Sequence, residues 1–140
     1  ELDAYRGPWV LPDARHARGR VEIADIDWTA IKDAERVLLR TYEQFPHDQW
    51  DSDFTAIASD VIARLGSMGV RLIGTDGASL DPEQSKTLDA HHAVKAADMR
   101  ILEGLVLDDV PPGRYELVAL PLRIVGADAS PVRAILREIA

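Results

Sequence analysis

Cysteine is missing altogether from these 140 residues. Its absence excludes disulfide staples and thiolate metal sites, so any metal must be held by His, Asp or Glu. Long apolar runs are missing too. None approaches the roughly 20 residues that a membrane-spanning helix needs, and nothing at the start has the pattern of a signal peptide. Positive charge is in deficit, with 16 Lys and Arg against 24 Asp and Glu and a net charge of -8. That field repels phosphate backbones and anionic bilayers, which argues against nucleic acid and membrane as partners. A cytoplasmic location is compatible with these features and is the expectation. The first residue is Glu1 rather than Met, so the sequence is expected to start inside a longer one.

What is present is the material of a packed domain. Hydrophobic residues make up 46% and charged residues 29% of the chain, the balance of a globular fold, and residues 1–140 are expected to form a single domain. Short aliphatic runs alternate with helical patterns, which predicts an α/β fold. Arg36 to Thr41 reads as a buried strand, and Tyr42 to Phe54, with Pro46 and Trp50, as a loop. Val61, Ile62, Leu65 and Met68 fall on one face of a helix from Ser59 to Met68, capped by Ser59 and ended near Gly66 or Gly69. Val70 to Gly74 reads as a strand that opens into a turn-rich loop running to Pro82. A second helix is expected from about Leu88 to Met99. A strand then covers Ile101 to Leu107, and another covers Tyr115 to Val125. Pro131 to Arg137 fits either period 2 or a short helix.

Four histidines are available as ligands or proton carriers. His16 lies in a polar, basic stretch and reads as a solvated side chain. His47, beside Pro46 and Asp48, either lines a pocket or sits exposed on its loop. His91 and His92 are adjacent, so on a helix they point about 100° apart and only one can face a given site. Glu103 interrupts the aliphatic run Ile101 to Leu107, and either points to solvent or is held by a partner such as a metal. Composition alone favours solvent. Asp76 and Asp81 are open between turn formers and pocket acids, while Asp108 and Asp109, before Pro111-Pro112-Gly113, read as loop residues. His91 and Glu103 thus form a possible pair on neighbouring elements, short of the three protein ligands of a catalytic zinc site.

Several strings together resemble one family. Gly74-Thr75-Asp76-Gly77-Ala78-Ser79-Leu80-Asp81-Pro82, Ser85-Lys86-Thr87-Leu88-Asp89-Ala90-His91 and Ile101-Leu102-Glu103-Gly104 occur in order and at the spacing of bacterial kynurenine formamidases, of the cyclase family. Val37-Leu38-Leu39-Arg40-Thr41, Gln49-Trp50-Asp51, Leu107-Asp108-Asp109-Val110-Pro111 and Asp128-Ala129-Ser130-Pro131-Val132-Arg133 extend the likeness to essentially the whole chain. The resemblance implies a swivelling β/β/α domain, a homodimer, and a centre of two zinc ions, with manganese as a possible substitute. In it, His91 and Glu103, twelve residues apart, would ligate one ion, and His92 would be a bystander. The implied reaction is hydrolysis of N-formyl-L-kynurenine to L-kynurenine and formate in tryptophan degradation, by water that the metals activate.

The chain departs from the family pattern at one important point. Relatives carry near their N-terminus a His-x-Gly-Thr-His-x-Asp-x-Pro-x-His signature that supplies the other metal ligands and the catalytic histidine, and no such string occurs here. The chain is therefore expected to correspond to the C-terminal two-thirds of a family member, with no catalytic residue of its own and no activity alone. Thr75, Gly77 and Ala78 also differ from the residues usual in relatives, which touches the substrate loop. Two other readings compete: a cyclase-family hydrolase of a different amide or lactone, and a non-catalytic module that has lost the metal signature.

Overall fold

The computed structural model describes residues 2–139. A 3₁₀ turn at Leu2–Tyr5 leads into β1 (Arg6–Leu11), followed by β2 (Arg20–Val21), a second 3₁₀ turn (Ile23–Asp25), β3 (Arg36–Leu39) and β4 (Ala56–Ile57). Helix α1 (Ser59–Ser67), β5 (Leu72–Thr75), α2 (Asp89–Ala96), β6 (Arg100–Leu102), β7 (Gly113–Val118) and β8 (Ile135–Glu138) complete the order. The expected α/β class is the one observed.

Six strands make one sheet in the order β6-β5-β3-β1-β7-β8. Strands β6, β5, β3 and β1 run parallel, whereas β7 and β8 join β1 as an antiparallel flank. β2 and β4 form a separate parallel pair. Because side chains alternate along a strand, the parallel strands feed two cores. Val10, Val37, Leu39 and Ile73 face the helices with Val61, Ile62 and Leu65. Trp9, Leu11, Leu38, Leu72, Leu102 and Leu117 face the other side. Gly74 permits the close fit on that second face, since a Cβ there would lie 2.2 Å from Leu38 Cδ2.

Helix α1 follows the expected apolar face, and full burial of Val61, Ile62 and Leu65 contributes roughly 1.5–3 kcal/mol per side chain. Two details of that expectation are corrected. Ala58, not Ser59, is the N-cap residue and makes no side-chain cap bond, and Met68 lies at the C-cap, exposed, rather than on the buried face. Helix α2 is shorter than expected at both ends.

Three strand expectations also change. β6 stops at Leu102, so Glu103 stands just beyond the strand and not within it. β7 stops at Val118, where Ala119 donates its N–H back to Tyr5, and Pro121, lacking an N–H, cannot extend the ladder. Of the ambiguous segment Pro131 to Arg137, only the part from Ile135 is a strand, with Leu136 paired to Leu117 and Glu138, just beyond, to Tyr115.

Candidate metal centre

The carboxyl ends of parallel strands are where an open α/β sheet gathers its site, and here β3, β5 and β6 deliver Thr41, Asp76 and Glu103 to the same rim. The loops are tied together by their backbones. Gly104 N–H donates to Gly77 O at 2.9 Å and Leu105 N–H to Thr75 O at 3.2 Å, while Leu80 O accepts from Ile57 N–H at 2.8 Å. Glu103 is fixed within this framework, as its Oε1 accepts the Leu80 N–H at 3.0 Å.

Asp81 connects the loop after β5 to helix α2. Its Oδ1 accepts from Ala90 N–H at 2.9 Å and its Oδ2 from His91 N–H at 3.0 Å. Two free amides of the first turn are thereby satisfied from a residue nearly ten positions upstream, in a helix whose own N-cap, Leu88, is left-handed at φ 51 and offers no side-chain cap. The same Oδ2 lies 2.7 Å from His91 Nδ1. Burial alone would raise the Asp81 carboxyl, but the hydrogen bonds from the His91 ring and from the two amides outweigh it and hold the group below its ordinary range.

With Nδ1 engaged, His91 turns its Nε2 towards Glu103, whose Oε1 is 3.6 Å away. Both side chains are partly open, at 35% and 31% exposure. Glu103 thus stands just past β6, partly solvated and held by the Leu80 amide, which corrects its expected place inside a strand. Zinc binds imidazole nitrogen and carboxylate oxygen at about 2.0–2.2 Å, so two ligands of one tetrahedral ion stand roughly 3.3–3.6 Å apart. The separation suits a shared cation. The donor chemistry suits it too, because an imidazole backed by a carboxylate is the usual environment of a metal-binding histidine. Among the described residues no group of three or more His, Asp or Glu is gathered around one point, so this pair would need further ligands.

The other candidates fall elsewhere. His92 is exposed on the neighbouring helix face. His16 is exposed, 3.6 Å from Asp25, and His47 lies on the open loop against Phe45 and 3.8 Å from Asp108; neither lines the cavity beside His91. Asp108 accepts the Phe45 N–H at 2.8 Å and so shapes that loop. Asp76 is 2% exposed and accepts from the Thr41 N–H and hydroxyl and from the Tyr42 N–H. Burial pushes its carboxyl above the ordinary range, against those three donors. Asp76 is an internal brace, whereas Asp81 joins its loop to α2 and to the His91 ring. Its contact with His91 had no local signal in the sequence, since the chain between residues 82 and 88 must fold back to make it.

Beside His91 and Glu103 opens a cavity of about 1300 Å³, walled by Leu38, Leu105, Leu122 and Val132 among others. No family profile matches the chain. Among curated proteins, a kynurenine formamidase of Sphingopyxis alaskensis is 84% identical over all 140 residues, which cover 67% of its length. The chain belongs to the kynurenine formamidase family. A kynurenine formamidase of Maricaulis maris is 60% identical over 99% of the chain and 66% of its own length, so the chain spans about two-thirds of the family members it matches. A solved structure described as a potential metal-dependent hydrolase with cyclase activity superposes on 99% of the chain and 69% of its own with a TM-score of 0.88, at 34% identity. The α/β arrangement is therefore that of metal-dependent hydrolases of this type.

Proposed function

We propose that the chain carries part of the active centre of a hydrolase that converts N-formyl-L-kynurenine to L-kynurenine and formate, with His91 and Glu103 as ligands of one ion in a two-metal site. The observation that carries this reading is the 3.6 Å approach of His91 Nε2 to Glu103 Oε1, in a chain 84% identical to a kynurenine formamidase. A bound divalent cation would supply Lewis-acid activation of water and of the formyl carbonyl. His91 presents a ring nitrogen, Glu103 a carboxylate held by the Leu80 amide, and Leu38, Leu105, Leu122 and Val132 in the mixed polar and apolar wall of the adjoining cavity offer contact to an aryl ring.

The reading needs further ligands and a proton donor beyond these two residues, and the 140 residues alone are expected to be inactive. Zinc as the metal, with manganese as a substitute, a homodimer and a cytoplasmic location belong to the same proposal and rest on the family resemblance. The exposed apolar side chains of Leu122, Ile124 and Val125 are in keeping with association. One six-stranded sheet that takes in both β1 and β8 supports treating the chain as one domain.

The test is release of kynurenine from formylkynurenine by the full-length protein supplied with zinc. Turnover supports the assignment. No turnover, with hydrolysis of another N-formyl amide or of a lactone, would move the protein to a different substrate within the metal-dependent hydrolases. Inertness towards all of them would favour a non-catalytic module.

A further inference from the structure

We infer that Asp81 is a positioning residue that fixes the His91 ring as its Nδ1–H tautomer and so reserves the Nε2 lone pair for a cation. The inference rests on the proposed metal role of His91.

Its basis is geometric. A carboxylate accepts hydrogen bonds and does not donate them when ionised, so an Oδ2 at 2.7 Å from Nδ1 requires the proton on that nitrogen. In a neutral imidazole the proton can occupy only one nitrogen, which leaves Nε2, on the Glu103 side, as the acceptor. Orientation is restricted as well as tautomer. The Asp81 carboxylate is anchored by the Ala90 and His91 amides, so the group that holds the ring is itself held by the first turn of the helix that carries the ring. Backbone and side chain of His91 are tied to one acid, and rotation of the ring away from Glu103 breaks the Nδ1 contact.

Replacement by alanine tests this role, with asparagine as the conservative control. Asp81→Ala leaves Nδ1 without its acceptor and frees the ring proton for Nε2, whereas in Asp81→Asn the amide oxygen at the Oδ2 position still accepts from both the His91 N–H and Nδ1–H. An outer-sphere partner of this kind is worth roughly 10–100-fold in metal affinity.

The experiment combines ring ¹⁵N NMR of the metal-free, full-length protein, under conditions where His91 is neutral, with zinc affinity and far-UV circular dichroism. The native protein is expected to show Nδ1–H at His91. Asp81→Ala is expected to lose that preference in favour of Nε2–H and to bind zinc about 10–100-fold more weakly, whereas Asp81→Asn keeps Nδ1–H and an unchanged helical signal. A native Nε2–H tautomer overturns the inference even if a variant fails to fold, and so does an Asp81→Ala protein with native tautomer and affinity. His91→Ala is the companion: undiminished zinc binding there refutes the metal reading itself, whereas lost binding there with native behaviour in Asp81→Ala refutes only the role of Asp81.

Discussion

Asp76 at the end of β5 holds Thr41 at the end of β3 through both its backbone N–H, at 2.8 Å, and its hydroxyl, at 2.6 Å. The residues are 35 positions apart, and their contact keeps two of the rim loops in register. Substituting Asp76→Ala strands the Thr41 and Tyr42 amides and the Thr41 hydroxyl in a buried place. The expected loss is roughly 2–4 kcal/mol, read as a lower urea midpoint. Thr41→Val, which removes only the hydroxyl, should lose roughly 1–2 kcal/mol. An Asp76→Ala protein with native stability would show that the brace carries no energy.

Gly66 in α1 sets how closely α2 approaches. A Cβ at Gly66 would meet Ala97 Cβ at 2.6 Å, and that atom belongs to the backbone-bound stub of a short side chain that cannot swing away. Alanine in place of glycine within a helix is ordinarily favourable by roughly 0.5–1 kcal/mol. Here Gly66→Ala is expected to cost about 1–3 kcal/mol net by forcing the helices apart, measured by chemical denaturation. A stabilised variant would contradict the packing.

Asp13 gives the acid limb of stability a defined contribution. The Arg15 side chain and amide hold its carboxyl at about 2, below the ordinary 3.8. A depressed folded-state value means that the contribution is complete above about 3.8 and is lost as pH falls towards about 2. The side chain is 36% exposed, so solvent screening limits it to less than about 1 kcal/mol. Asp13→Asn should flatten the fall in stability across that window and change little at neutral pH. An unchanged acid limb would contradict the assignment.

Legibility in the sequence followed locality. The α1 face and the cores of β3 and β5 showed in runs such as Val37-Leu38-Leu39 and Leu72-Ile73, because burial on both faces of a sheet demands unbroken apolar residues. β1 did not show. Its Gly7 and Pro8 weaken a strand signal, and the segment is a strand because β3 and β7 pair with it from far along the chain. β7 is shorter than its composition suggests, because aliphatic residues continue past Val118 while the pairing ends there. His91 and Glu103 stand out as a pair of ligands only through the family resemblance, since residue type alone leaves Glu103 to solvent. The part played by Asp81 depended on a loop folding back on α2, which spacing does not encode.

The most direct measurement is the metal bound by purified full-length protein, by elemental analysis after equilibration with zinc, for the native chain and for His91→Ala and Glu103→Ala. If His91 and Glu103 share an ion, each substitution sharply lowers the zinc bound per protomer while the circular dichroism spectrum stays native. Native zinc content in both variants would contradict the account.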